Sequence, residues 1–456
     1  MAQRYQFGRG DKKIAIIGSG IAGLSAAWLL NEKHDVTIFE DNDYVGGHSN
    51  TVDIALDDRT IPVDTGFIVY NPTNYPNLTA LFNQLSVPTV STDMSFSVSL
   101  DDGAFEYAGG DGGGLLAQRA NLLRPRFWSM IAGVLKFYRN TQRYIDSAQY
   151  QGFTLRDLLV AEGYSSAFVK DHLAPMGAAI WSSNSHDILD YPALSFLKFF
   201  HNHGLTQLSN RPQWRTVVGG SREYVRRIMA PFADKIILNT PIEHVGTPED
   251  GLGGVLVTPR GMAPQRYDEV IFACHSDQAL ALVNEASPEH ASMLRDLEYS
   301  ANKMAVHTDV KLMPKRKRAW ASWNYVERTN AKTDKPAISY WMNQLQHLPT
   351  DTPVIATLNP DRLIDAEKVL CQFDYAHPVM DQKGARAKRR LWPVQGQNHM
   401  WFAGAYLGDG FHEDGIQAGL AVAEMLSGER RPWHIHNQNA RIGLSDDVGQ
   451  GLGKAA

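Results

Sequence analysis

The chain has little cysteine, no long apolar run and no excess of either charge, and each absence narrows its role. Two cysteines in 456 residues, Cys274 and Cys371, cannot build a disulfide framework, and neither stands in a CxxC or a Cys/His cluster of zinc-ligand spacing. A reducing compartment is expected, and no metal. No segment approaches the roughly 18–20 consecutive apolar residues of a membrane span, and the opening "MAQRYQFGRGDKK" lacks the apolar centre of a signal peptide. The expected location is cytoplasmic, extending to peripheral contact at the inner face of the membrane. With 44 basic and 49 acidic side chains the formal net charge is −5, so the balance of charge does not point to nucleic acid as a partner. Internal repeats are absent as well.

What is present starts at Lys13 with "KIAIIGSGIAGLSAAWLLNEKHDVTIFE". A buried strand (Ile14 to Ile17), a Gly18-x-Gly20-x-x-Gly23 turn, a helix to Leu30 and a second strand (Val36 to Phe39) ending at Glu40 make a βαβ unit. Gly20 lets the backbone approach a pyrophosphate at the helix start, where Ile21 and Ala22 follow, and Glu40 with Asp41 stands where ribose hydroxyls need an acceptor. The second glycine pair, Gly46-Gly47 in "YVGGHSNTV", is not required for nicotinamide binding and turns the expectation from NAD to FAD.

At 456 residues two interleaved units are expected, since domains of roughly 100–200 residues are usual. The predicted class is α/β plus α+β: a discontinuous Rossmann-like FAD-binding domain over residues 1–90, 216–290 and 396–430, and a mixed sheet-and-helix cap over 91–215 and 291–395. Residues 431–456 read as a partly disordered tail, with "LSDDVGQGLGKAA" from Leu444 having little to bury. Arg119 to Ile145 predicts a basic amphipathic helix after Pro125, suited either to a cap with a buried stripe or to a membrane interface. The run Lys315 to Arg318 reads as a solvated turn or a lipid contact.

Four features in this order resemble the flavin-containing amine oxidase and phytoene desaturase superfamily: the glycine turn with Glu40, Gly46-Gly47, the strand in "TPIEHV", and "FAGAYLGDGFHEDGIQAG" near the C-terminus. The resemblance covers about residues 12–430. It implies non-covalent FAD, with Gly404, Asp409, Gly415, Ile416 and Gln417 beside the flavin and Ile242 on the adenine side. His48, Thr65, Gly66, Phe67 and Cys274 join the implied cofactor contacts. More narrowly, "VGGHSNTV", "DTGFIVYN", "RPQWRTVVGGSREYV" and "NKMAVHTDVKLMP" are similar to a bacterial branch that accompanies cyclopropane-fatty-acid-synthase-like methyltransferases. That branch implies a lipid or fatty acyl substrate, a methyltransferase partner and a desaturase step of the kind used in furan fatty acid synthesis. Ile416 departs from the family, whose amine oxidases commonly carry a tyrosine there as a wall of an aromatic cage.

Desaturation needs a hydride acceptor, a base for the neighbouring C–H and an apolar slot. The resemblance puts Lys303 where related oxidases hold a water at the flavin, with a surface lysine as the other reading. His412 and Glu413 precede the flavin-facing helix, suited to catalysis, to capping the loop or to a cofactor contact. His203 is either a cavity residue or a satisfied interior histidine, and Trp181, Trp214, Tyr340, Trp341 and Trp392 are the aromatic candidates for the slot. An isomerase that returns the hydride, an amine oxidase and a non-catalytic FAD-bound partner of a methyltransferase are the other functions considered. With no second dinucleotide fingerprint in the sequence, oxygen or a membrane quinone is the expected electron acceptor.

Overall fold

The run "IAII" is apolar at every position, which suits a strand covered on both faces, and Ile14 to Ile17 are all buried. In the computed structural model, which describes residues 11–109, 113–181, 184–209, 211–283, 287–327, 337–360 and 364–444, this strand is the middle of a five-stranded parallel sheet. The order across it is Met400–Phe402, Glu269–Phe272, Lys13–Ile17, Asp35–Phe39, Ile236–Ile237. The chain leaves this sheet after Phe39 and again after Phe272, and returns both times. A three-stranded antiparallel sheet, Ile242–Gly246, Val255–Pro259 and Gln265–Tyr267, lies beside it in the chain.

The excursions build two further layers. A seven-stranded sheet runs in the order Val369–Pro378, Tyr299–His307, Ile355–Leu358, Ala337–Trp341, Trp323–Val326, Phe96–Leu100, Phe105–Ala108. Helices Pro125–Asp146, Leu155–Ala161, Ala174–Trp181 and Ala193–Asn202 form a cap around Phe137, Tyr144, Phe168, Phe196 and Phe200. Among the described residues no helix is long and apolar enough to cross a membrane.

Two segments lie apart from their expected places. Helix Gln382–Leu391 and Trp392, placed in the cap by the sequence, contribute Ala387, Leu391 and Trp392 to the core of the nucleotide domain. Residues 431–444, read as tail, are docked: Arg431 is 4% exposed and donates to the Glu424 carboxylate at 2.7 and 3.0 Å and to Asn77 and Asn439. A buried guanidinium needs such partners to offset its lost hydration; Glu424 and Asn439 are near it in sequence, and Asn77 is brought from the other end of the chain. Residues 445–456 lie outside the described residues.

Helix Ile21–Leu30 crosses helix His412–Ser427 at very short range. A Cβ on Gly415 would stand 2.7 Å from Ile21 Cγ2, and one on Gly419 would fall inside contact distance of the Ala22 carbonyl oxygen. Two helices approach this closely only where one surface lacks side chains. Gly419→Ala is therefore expected to destabilise the fold by about 1–3 kcal/mol and to lower flavin content in the purified protein. Thermal denaturation and flavin quantification check it, and wild-type values for both would refute the close-packing account.

Candidate active site

The first strand delivers the glycine turn to the carboxyl edge of the parallel sheet, where Gly18 lies against the Ala273 carbonyl and Gly20 caps helix Ile21–Leu30. A Cβ at Gly20 would meet no protein atom within 4 Å, so the helix start faces open space. Its free backbone N–H groups and positive dipole end make that space an anion site. Gly23 packs under Gly18, and Gly46 and Gly47 close the other side, with Gly46 N donating to the Ser19 carbonyl at 3.1 Å. Glu40 is buried and accepts from Ser19 N at 2.9 Å and from Asn42 N at 2.9 Å. Thr240 N donates to the Glu40 carbonyl at 2.9 Å, which brings the half-buried Ile242 to the same end; Asp41 is exposed.

The second half of the site comes from the other end of the chain. Gly404 leads from strand Met400–Phe402 into a turn, and helix His412–Ser427 follows with Gly415, Ile416 and Gln417 buried. Between the halves, the polar atoms His48 Nε2, Tyr406 Oη and Gln417 Oε1 are buried without a protein partner. Buried polar atoms are ordinarily satisfied, so unpartnered ones on residues of both half-sites fit a polar ligand such as FAD. Gly66 sits against the His48 carbonyl and Phe67 N donates to it at 2.7 Å; Thr65 Oγ1 meets Tyr375 Oη at 2.6 Å. Burial pushes the thiols of Cys274 and Cys371 up to about 12 and about 11, leaving both unsuited to nucleophilic attachment of a flavin. Among the described residues no group of ligands could hold a metal ion.

The three catalytic candidates part company. His412 is held in place: its ring stacks on Phe67 at 3.9 Å, and its Nε2 meets Tyr224 Oη at 2.6 Å and Ser49 Oγ at 3.1 Å. Burial pushes its pKa down to about 3, so it is neutral. Glu413 points away from this cluster, and its carboxylate accepts from Asn77 N and Nδ2, Leu78 N and Gln417 Nε2 at 2.8–3.1 Å. It caps helix Pro76–Gln84, a role distinct from the loop capping that the sequence reading offered, and its four donors come from the fold itself. Lys303 is exposed and pairs across the sheet with exposed Asp374, so its side chain lies on the face away from the site. The inward face of that strand carries Ser300, Asn302 and Met304, opposite His377, Tyr375 and Phe373. Because strand side chains alternate, one residue of offset decides which group meets the cofactor region. Asn302, His377 and Tyr375 are the polar groups there that the sequence reading missed; alternation of exposed Lys303 and Asp374 with apolar neighbours was the available signal.

A small open cleft lies between the cap and the loop before His412, lined by Trp181, Tyr191, Phe196, Met380, Lys388 and Asp409 among others. Phe411 stacks on Phe199 at 4.9 Å, and Phe199 on His203 at 3.8 Å, which extends the aromatic wall toward the flavin loop. His203 Nδ1 donates to the Phe199 carbonyl at 2.9 Å, leaving Nε2 bare, buried and unpartnered. Lys388 donates to the Gly408 carbonyl; burial lowers its pKa and raises that of Asp409. Of the other slot candidates, Trp181 lies in this wall and Trp214 one ring away, against Tyr75. Tyr340 and Trp341 sit in the seven-stranded sheet against Trp323 and Trp320, and Trp392 donates to the Ile442 carbonyl in the nucleotide-domain core, so these three line no part of the cleft.

The family model described as flavin containing amine oxidoreductase matches residues 21–373. The chain belongs to that family. Membership implies FAD as the cofactor, and the two half-sites described above are the residues that would hold it. Amine oxidase [flavin-containing] A of Canis lupus familiaris is 26% identical over 267 residues, 52% of this chain and 45% of that protein, so the chain matches about half the length of such relatives. The 1-hydroxycarotenoid 3,4-desaturase of a Flavobacterium is 52% identical over 45 residues, 10% of this chain and 9% of that protein. Among solved structures, the cyclohexylamine oxidase of Brevibacterium oxydans superposes with a TM-score of 0.63 at 15% identity, covering 92% of this chain and 99% of that one. The fatty acid isomerase of P. acnes gives 0.62 at 15% identity, covering 92% and 98%. At that identity the structural likeness shows the shared fold.

Two sets of measurements check this site. Glu413→Gln should lower stability by about 1–3 kcal/mol while turnover per bound flavin stays near wild type, and Lys303→Met should leave both unchanged; a large loss of turnover per flavin in either variant would restore it as a catalytic residue. The second concerns pH. Burial pushes His172 and His307 down to about 4 and His203 and His412 down to about 3, against an ordinary 6.5. The unfolded chain therefore binds more protons below 6.5, so this stability is complete above 6.5 and is lost as pH falls toward 3. Asp64, pushed up to about 6 by burial, acts oppositely, its contribution declining as pH rises from 3.8 to 6. The lowered histidines, to which His48, His275 and His290 add, outnumber the raised carboxyls of Asp64, Asp409 and Glu413, and the melting temperature should fall between pH 7 and pH 5.

Proposed function

We propose that this protein is an FAD-dependent oxidoreductase that removes hydrogen from a lipid acyl chain, introducing a double bond. The observation that carries the reading is the aromatic wall of Trp181, Phe196, Phe199, Phe411 and His203, which leads from the cleft to the loop of the second FAD half-site. Such a wall suits a long apolar substrate, which it would grip through apolar area and shield from water. Ile416, fully buried, offers no ring for an aromatic cage, which disfavours a cationic amine. The short match to a carotenoid desaturase and the fold shared with a fatty acid isomerase agree with a hydrocarbon substrate.

Bound FAD supplies the hydride acceptor. The adjoining carbon gives up a proton to a base reached in the substrate pose. Lys388, the cation of the cleft, would orient an acyl carboxylate or phosphate head group by a charge-assisted hydrogen bond. The two electrons leave to oxygen or a quinone. A cyclopropane-synthase-like methyltransferase as partner, supplying a methylated acyl chain, is supported by the resemblance of the glycine and "DTGFIVYN" motifs to that bacterial branch.

Anaerobic mixing with fatty acids and phospholipids of graded chain length tests the reading: the flavin absorbance should bleach with a cognate acyl chain and persist with amines. Lys388→Met should raise KM by about ten-fold with kcat little changed. Bleaching by amines alone would overturn the proposal. Product formed without consumption of oxygen or quinone would assign the isomerase reaction, the second reading.

A further inference from the structure

The turn Asp101–Gly103 and the strand after it are gripped from two sides by segments remote in the chain. On one side Asn121 Nδ2 donates to the Glu106 carbonyl at 3.0 Å, and Gln118 Nε2 and Arg124 Nη1 donate to the Ala104 carbonyl at 2.8 and 2.6 Å. On the other, the backbone N–H groups of Lys315 and Arg316 donate to the buried Glu106 carboxylate at 2.7 and 3.2 Å, and Arg316 Nη1 to the Gly103 carbonyl at 2.8 Å. The amphipathic helix and the basic run, each ambiguous alone in the sequence, are thereby joined in one surface knob.

The polar anchors of the knob point inward, and its outer surface is apolar. Leu123 is 88% exposed, Trp128 53% and Leu122 40%, and Trp128 Nε1 donates to the Leu122 carbonyl at 2.9 Å, which fixes the indole beside the leucines. Contiguous large apolar side chains held in the open mark an interaction surface. Arg126 and Arg316 are engaged by the buried carboxylates of Asp171 and Glu106, and the exposed Asp101 lies 3.4 Å from Arg126. Arg119 and Arg124 stand next to the apolar tip in the chain, and Lys315, Lys317 and Arg318 lie across the strand from it; all five are without a carboxylate partner among the described residues, an excess of positive charge on the knob. Apolar and indole side chains flanked by cations match the headgroup region of an anionic bilayer, where indoles are enriched and each cation adds electrostatic binding.

We infer that this knob docks the protein on an anionic lipid surface, with Leu122, Leu123 and Trp128 at headgroup depth. It concerns where the protein sits and stands apart from the acyl-chain reading, because vesicle binding is measured without turnover. The test is co-sedimentation of the holoenzyme with vesicles of phosphatidylcholine alone or mixed with phosphatidylglycerol. Binding to the mixed vesicles is expected, weakening with salt, by about five-fold for each cation removed in Lys317→Gln and Arg318→Gln, and by more than about ten-fold in Leu123→Glu. Flavin content and melting temperature should stay at wild-type values, since these side chains are in the open. No binding to mixed vesicles, or equal binding by Leu123→Glu, would overturn the inference. So would a change from dimer to monomer in Leu123→Glu with vesicle binding unaltered, which would give the knob to a second copy of the chain.

Discussion

The near-contact of helices Ile21–Leu30 and His412–Ser427 is the constraint on which the site depends. One helix carries the phosphate-facing start of the first half-site, the other carries Ile416 and Gln417 of the second, and the absence of side chains at Gly415 and Gly419 lets them touch. Had either glycine a larger side chain, the half-sites would separate by the width of that group, and a ligand spanning both would lose one end. Close packing leaves no slack to absorb such a change.

Buried carboxylates around this crossing convert a packing contact into a fixed geometry. Glu413 ties the C-terminal helix to helix Pro76–Gln84, Asp414 holds Arg441 at 2.6 Å, and Glu424 holds Arg431. Each buried charge would be costly alone, and each is offset by several donors, from a remote segment at Glu413 and from the following C-terminal stretch at Asp414 and Glu424. Residues 431–444 are ordered for this reason despite a composition with few large apolar side chains. The same device appears at the knob, where Glu106 gathers backbone N–H groups from Lys315 and Arg316. Glu413, the one carboxylate among the catalytic candidates, is like Asp414, Glu424 and Glu106 a joint between segments.

Most of the cofactor half of the site was legible in the sequence. The glycine turn, Glu40 and the glycine-rich loop before His412 are local patterns, and their chemistry depends on backbone conformation that neighbouring residues specify. The substrate half was less legible. Lys303 was read either toward the flavin or as a surface lysine, and its strand pairs in the register that turns Asn302 and Met304 inward and leaves Lys303 exposed; the alternation around it was a weak signal because Asn302, on the inward face, is itself polar. Trp392, Tyr340 and Trp341 were grouped with the slot because large aromatics serve cores and pockets equally; the structure puts Trp181, Phe199 and Phe411 together instead.

By itself the sequence determined the βαβ unit, the preference for FAD and the return of the C-terminal segment to the first domain, because these rest on short-range periodicity and on glycine at specified spacings. Only the tertiary structure decided that Glu413 is a helix cap, that Lys303 faces solvent, that His203 presents a bare nitrogen beside Phe411, and that Leu123 and the basic run share one knob. Those outcomes are set by strand register and by contacts between residues hundreds of positions apart, where burial and hydrogen-bond satisfaction select among roles that the residue types leave equally open.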